Sequence, residues 1–218
     1  MALRPVQTPL LLWQLARYDT SMATTSAPPS TAAASFADAY RTQLFHALNG
    51  LDLQSITECV DILRSARDEG RSIFVCGNGG SAATASHFAT DMVKGASYGY
   101  ASRFRIMALT DSASTITAYA NDVSYDSVFV EQLKNFAKPG DVFIAISGSG
   151  NSPNVVEAIE YANSIGCKTI AMTGKDGGKL KPAAAVQLHI DDKHMGRIED
   201  AHMVVCHMLA YCFMEQAV

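Results

Sequence analysis

Ile73-Phe74-Val75-Cys76-Gly77-Asn78-Gly79-Gly80-Ser81 joins two patterns that decide the fold. The first four residues form a continuous apolar run between Ser72 and a glycine cluster, as in a strand buried on both faces. The glycines break that run, and over about 82–94 the apolar spacing becomes helical. The strand pattern recurs at 104–109, 142–146, 168–172 and 186–190, with helical segments at about 151–164 and 197–213. Strands alternating with helices predict an α/β protein with a five-stranded parallel sheet covered on both faces.

Upstream of this series the period is helical. Phe36, Tyr40, Leu44, Ala47 and Leu48 share one face of a helix that Ser35 could cap and that ends near Asn49-Gly50. Ser55 with Glu58 reads as the capping box of a second helix, with Ile56, Cys59, Val60 and Leu63 on its apolar face and Gly70 at its end. Residues 1–34 differ in composition: no charge falls between Thr20 and Ser35, and Ala, Ser, Thr and Pro28-Pro29 dominate. Such a stretch cannot bury enough apolar surface to offset ordering, so 1–34 is expected to be a disordered tail and 35–218 a single domain.

Composition excludes several classes of function. The 218 residues carry a formal net charge of −4, which gives no electrostatic reason to expect a nucleic-acid partner. The apolar stretch Pro9–Trp13 is far short of the ~20 residues that span a bilayer, so no membrane association is expected. The five cysteines are odd in number, lie in apolar segments and form no CxxC, which fits a reducing, cytoplasmic setting.

In an open parallel sheet, ligands bind beyond the carboxyl ends of the strands. Strand one is followed by Gly77-Asn78-Gly79-Gly80-Ser81 and strand three by Ser147-Gly148-Ser149-Gly150-Asn151-Ser152-Pro153, each leading into a helix. Glycine admits close approach of a ligand to the backbone, and helix N-terminal N–H groups with serine hydroxyls offer donors to an anion. Two such loops at equivalent strand ends read as phosphate cradles; a single one would read equally well as a connector. The turn 173–179 is a less clear case, readable as a further cradle or as a loop alone. No Walker A lysine is present, and the dinucleotide fingerprint lacks its acidic residue at a strand end, so a phosphorylated small molecule is expected. His87 and Asp91 are neighbours on one helical face, and Glu199, His202 and His207 interrupt the apolar pattern of the last helix. Imidazole with carboxylate is the usual set for holding a metal or moving protons at neutral pH. His189 and His194 read as structural.

The ordered series Cys76–Ser81, His87-Phe88-Ala89, Ala120-Asn121-Asp122, Gly140-Asp141-Val142, Ile146–Ser152, Met172–Lys179 and Arg197–His202 closely resembles the phosphoheptose isomerases of the sugar isomerase (SIS) domain family, over about 36–215. The resemblance implies a flavodoxin-like three-layer α/β/α sandwich with two leading helices. It also implies a homotetramer with active sites between subunits, and conversion of sedoheptulose 7-phosphate to a heptose 7-phosphate, often with zinc. Matched position by position, substrate contacts fall on Asn78, Gly79, Gly80, Ser81, Asn121, Asp122, Ser147, Gly148, Ser149, Ser152 and Glu199. Metal positions fall on His87, Asp91, Glu199 and His207, with Asp91 as catalytic base and His207 as acid. The chain departs from the family pattern at Asp91 (usually Glu), Glu199 (usually Gln), Gly148 (usually Thr) and Gly196 (usually Asp). It also resembles the SIS-domain regulator of bacterial replication initiation, a binding protein without isomerase activity, although that relative lacks the second histidine present here as His207. Because Glu199 and His207 are separated by about 12 Å of helix rise, one metal gripped by both is expected to need a second chain.

Overall fold

Thr31 opens the first helix, its hydroxyl accepting from the Ala34 N–H at 3.2 Å, and α1 runs Ala32–Asn49 in the computed structural model, which describes residues 31–216. The helix thus starts ahead of the Ser35 cap expected from sequence, because three alanines propagate it back to an equally good cap. Of the expected 1–34 tail, residues 1–30 lie outside the described residues. α2 (Leu53–Asp68) is capped by Asp52, which accepts from the Gln54 N–H at 3.0 Å and from the Ser55 hydroxyl at 2.8 Å. Ser55 therefore lies inside the first turn, and no Ser55/Glu58 capping box forms. The helix ends at Gly70 (φ +66°), where the Arg71 N–H reaches the Ala66 carbonyl at 2.8 Å and satisfies an otherwise orphaned acceptor.

Five strands follow: β1 (Ser72–Gly77), β2 (Arg105–Ala108), β3 (Val142–Ser147), β4 (Lys168–Thr173) and β5 (Val186–His189). All pair in parallel, in the order β2-β1-β3-β4-β5, with Val75 opposite Ala108 and Ile144, and Ile170 opposite Ile144 and Val186. Successive side chains enter opposite cores. Ile73, Val75, Ile144 and Ile170 pack under α1, α2, α3 (Gly80–Thr90) and α8 (Met195–Glu215). Phe74, Cys76, Phe143 and Ala171 pack under α5 (Val130–Phe136), α6 (Pro153–Ser164) and the single turn α7 (Leu180–Ala183). The result is the expected three-layer sandwich.

Two helices between β2 and β3 escape the sequence reading. α4 (Ala113–Asp122) buries no residue fully and rests only the partly buried Ile116, Tyr119 and Ala120 on the core, and α5 spans only seven residues. The connections from β1 and β3 leave toward opposite faces, α3 on one and α6 on the other, and the crevice between their loops is the switch point of the sheet. α3 and α8 lie side by side and parallel. A Cβ on Gly80 would meet Glu199, His87 meets His207, and a Cβ on Gly95 would meet Met214, a constant offset of 119 to 120 residues. Among the described residues no helix is long and apolar enough to cross a membrane.

Candidate active site

β3 delivers Ser147 to the edge of the crevice, and the chain then turns so that three hydroxyls converge. Ser147 Oγ lies 3.1 Å from Ser152 Oγ and 3.4 Å from Ser149 Oγ. Gly150 makes the turn possible at φ +64°, where a Cβ would overlap the Gly177 carbonyl oxygen. Ser152 is the N-cap of α6 yet makes no side-chain capping bond, so its hydroxyl faces Ser147 and not the helix. The 173–179 segment, left open from sequence between cradle and loop, braces this turn. The Leu180 N–H donates to Gly150 O at 3.0 Å, and the Lys179 N–H donates to Asn151 Oδ1 at 3.2 Å.

The opposite wall is the start of α3, whose N-cap Gly79 also supplies no side-chain cap. Asn78 is locked there by two partners that the sequence reading missed. Asn154, 1% exposed on α6, exchanges paired hydrogen bonds with it at 2.9 and 3.0 Å, and the Tyr125 hydroxyl donates to Asn78 Oδ1 at 2.9 Å. The polar Asn154 directly after Ser152-Pro153 was the available signal. Between the walls lies a cavity of about 240 Å³, lined by Asn78, Gly79, Gly80, Ser81, Ser147, Gly148, Ser149, Ser152 and Glu199, with Ile146 and Met195. Two helix N-termini open onto it, each with N–H groups and positive dipole ends that favour an anion. Asn121 and Asp122 are not in this lining. They end α4, where Asn121 donates to Asp122 at 2.7 Å, and Asp122 borders a separate groove.

About two turns along α3 sits the second constellation. His87 Nε2 is 3.0 Å from His207 Nε2, and Asp91 Oδ2 is 3.3 Å and 3.7 Å from those two nitrogens. At 3.0 Å two ring nitrogens either share one proton or direct both lone pairs at a common ion. Asp91 Oδ2 is buried with no hydrogen-bond partner, an arrangement that costs free energy unless something occupies the gap. Three ligand atoms spaced 3.0–3.7 Å apart match the edges of a tetrahedron with metal bonds of about 2.0–2.1 Å, so the residues fit a divalent metal. The short Asp91 carboxylate reaches this position from the start of a π-helical turn (Asp91–Gly95) that interrupts α3.

Two expectations are corrected here. His87, Asp91 and His207 converge within one chain because α3 and α8 run in register, so the cluster needs no second subunit. Glu199 does not join it; the helix rise that argued for a partner chain instead carries Glu199 to the cradle, with its carboxylate against Gly80. His202 separates from both. Fully buried, it donates from Nε2 to the Thr173 carbonyl at 3.2 Å, its Nδ1 is unpartnered, and burial pushes its pKa down to about 4. Gly196 leaves room for the Tyr40 hydroxyl, which donates to Asp200 at 2.6 Å and has its pKa raised to about 12 chiefly by that bond.

A switch-point pocket lined by serine hydroxyls between the starts of α3 and α6, with a histidine–carboxylate cluster between α3 and α8, is the layout of an α/β protein that handles phosphosugars. The model of the SIS domain matches residues 36–174, and the chain belongs to that family. It is 44% identical over 163 residues to the "Probable phosphoheptose isomerase" of Thermoplasma acidophilum, covering 73% of this chain and 87% of the other. It is 37% identical over 174 residues to the phosphoheptose isomerase of Citrifermentans bemidjiense, covering 77% and 86%. The solved phosphoheptose isomerase from Neisseria gonorrhoeae superposes with a TM-score of 0.74 at 33% identity, over 83% of this chain and 95% of that one.

Proposed function

We propose that the protein is an aldose–ketose isomerase that converts sedoheptulose 7-phosphate to D-glycero-D-manno-heptose 7-phosphate. The observation that carries this reading is the placement, within one chain, of the cradle at the start of α3 and the His87–Asp91–His207 cluster further along the same helix. His87 follows Gly80 by seven residues, about 10 Å along α3, which suits a substrate with phosphate at one end and reacting carbons at the other. The similarity to phosphoheptose isomerases supports the same substrate.

In this reading Ser147, Ser149 and Ser152 hold the phosphate with the first N–H groups of α6, and Asn78, fixed by Asn154, orients the sugar. Asp91 removes a proton from C1 of the ketose while His207 protonates the oxygen on C2, giving the enediol. The O1 proton then passes to His207 as Asp91 returns its proton to C2, leaving the aldose. A divalent metal, zinc first, would be held by His87, Asp91 and His207 and, when bound, polarises the oxygens on the two reacting carbons. Metal binding and proton transfer compete for His207 Nε2, and chelation separates them. Turnover lost with phosphosugar binding retained assigns that nitrogen to the metal; turnover retained assigns it to the proton. Asn121 and Asp122 would enter a substrate site only from a neighbouring subunit.

A homo-oligomer, with a tetramer as the expected form, is supported by Phe36 and Phe45 on α1, which are 65% and 60% exposed. A cytoplasmic setting is supported by five cysteines that are all free. The deciding experiment incubates metal-loaded protein with sedoheptulose 7-phosphate and follows the carbon-1 signals by NMR. Appearance of the aldose is expected. Tight binding without turnover would make the protein a phosphosugar-binding regulator.

A further inference from the structure

An aspartate has one fewer side-chain torsion than a glutamate, so where its carboxylate lies is set mainly by where its main chain lies. Asp91 Oδ2 is buried 3.3 Å from His87 Nε2 and 3.7 Å from His207 Nε2, and no hydrogen bond to that oxygen fixes it there. The main chain on either side is held instead. The Asp91 N–H donates to the His87 carbonyl, as in an ordinary helical turn, whereas the Asp91 carbonyl accepts from the Ala96 N–H, five residues on, at 2.9 Å. The next carbonyl, that of Met92, accepts from the Ser97 hydroxyl at 2.7 Å. In α-helical geometry Met92 O would take the Ala96 N–H, four residues on. With the Ser97 hydroxyl in that place, Ala96 is left to Asp91, which is the bond of a π-helical turn.

Ser97 is itself fixed. It is 2% exposed, and its oxygen also accepts from the Phe104 N–H at 3.0 Å, directly ahead of the edge strand β2. The turn is thus tied to the sheet through one hydroxyl. On its other side it has no slack, since a Cβ on Gly95 would overlap Met214 Cε of α8. Ser97 belongs neither to the serine cradle nor to the histidine–carboxylate cluster.

We infer that Ser97 is a positioning residue for Asp91: its hydroxyl holds the π-helical turn in the form that brings the aspartate carboxylate to His87 and His207. Without the hydroxyl, Met92 O and the Phe104 N–H are buried and unpaired, a cost that the turn relieves by passing the Ala96 N–H from Asp91 O to Met92 O. That rewinding turns the peptide group next to Asp91 and carries its short side chain off the two imidazoles. The inference rests on the cluster holding a divalent metal, as in the reading above.

Calorimetric titration of the metal-free full chain with zinc tests it in four proteins: wild type, Ser97→Ala, Asp91→Glu and the double variant. Ser97→Ala should weaken zinc binding about tenfold or more, the usual effect of losing a partner that orients a ligand. In the Asp91→Glu background, where a longer side chain with one more torsion can follow a shifted backbone, the same change should cost no more than about threefold. A thermal melt of each protein checks that it is folded. Should Ser97→Ala melt below the assay temperature, Ser97→Cys, of similar size and with weaker hydrogen bonds, replaces it under the same criteria. If the Ser97 change leaves zinc affinity unaltered, or weakens it equally in both backgrounds, Ser97 serves the fold alone and the inference fails. Failure of the underlying reading looks different: the wild type itself would then bind no zinc, and the inference would fall with the cluster.

Discussion

Ser149 is the residue whose removal speaks most directly to the phosphate seat, since its hydroxyl belongs to the convergent trio and its carbonyl anchors Asn151 at 3.0 Å. Ser149→Ala deletes only the hydroxyl. Phosphosugar affinity should fall by about 1–3 kcal/mol, the cost of losing a hydrogen bond to a charged group, as read by calorimetry. His202 makes a second residue-scale prediction. Its pKa is lowered to about 4 in the folded protein, chiefly by burial, against an unfolded value of about 6.5. The unfolded chain therefore binds the proton more readily between those values, and stability is lost as pH falls from about 6.5 to 4, by as much as about 3 kcal/mol. His189, lowered mainly by burial, adds in the same direction. Denaturant titrations across that range should show a shallower slope for His202→Asn than for wild type; equal slopes would remove His202 as the cause. At this scale the serine turn was legible in the sequence because hydroxyls and glycines at a strand end have few other uses. Asn154 was not, since an asparagine in the first turn of a helix ordinarily faces water, and only its pairing with Asn78 in the loop after β1 brings it inside.

At the scale of elements, the turn after β3 depends on a backbone that only glycine adopts without strain. Gly150→Ala would hold alanine at φ +64° with its Cβ in the Gly177 carbonyl, and Leu180 would lose its anchor to Gly150 O. A loss of at least about 2 kcal/mol in stability is expected by chemical denaturation, with weaker phosphosugar binding. An unchanged midpoint would show that the brace is dispensable. β1, β3 and β4 were readable because strands buried on both faces are continuous apolar runs, the edge strands β2 and β5 because alternate residues are buried, and α3, α6 and α8 because each lays an apolar stripe on the core. α4 was missed although Ile116, Tyr119 and Ala120 touch the core, because that short face buries none of them fully. The start of α1 was misplaced because a run of alanines has no periodicity to show where the helix begins. The register of α3 against α8 was beyond sequence reasoning: spacing along one helix cannot reveal that a second helix runs parallel to it and brings His207 to His87.

That register changes what is expected of the whole molecule. Since His87, Asp91 and His207 meet within a chain, a mixed oligomer of Asp91→Asn and His207→Ala chains contains no intact cluster, and mixing the two inactive variants should restore no activity. Restored turnover after proven subunit exchange would place the cluster between chains. The proton transfer itself is most directly tested by running the reaction on sedoheptulose 7-phosphate in D2O and examining carbon 2 of the aldose by NMR. A base that takes a proton from C1 exchanges it in part with solvent before returning it to C2, so the product should carry some solvent deuterium at C2, and Asp91→Asn should form no aldose. An aldose formed at the wild-type rate by Asp91→Asn, with or without solvent deuterium, would contradict the assignment of Asp91 and its cluster to the chemistry.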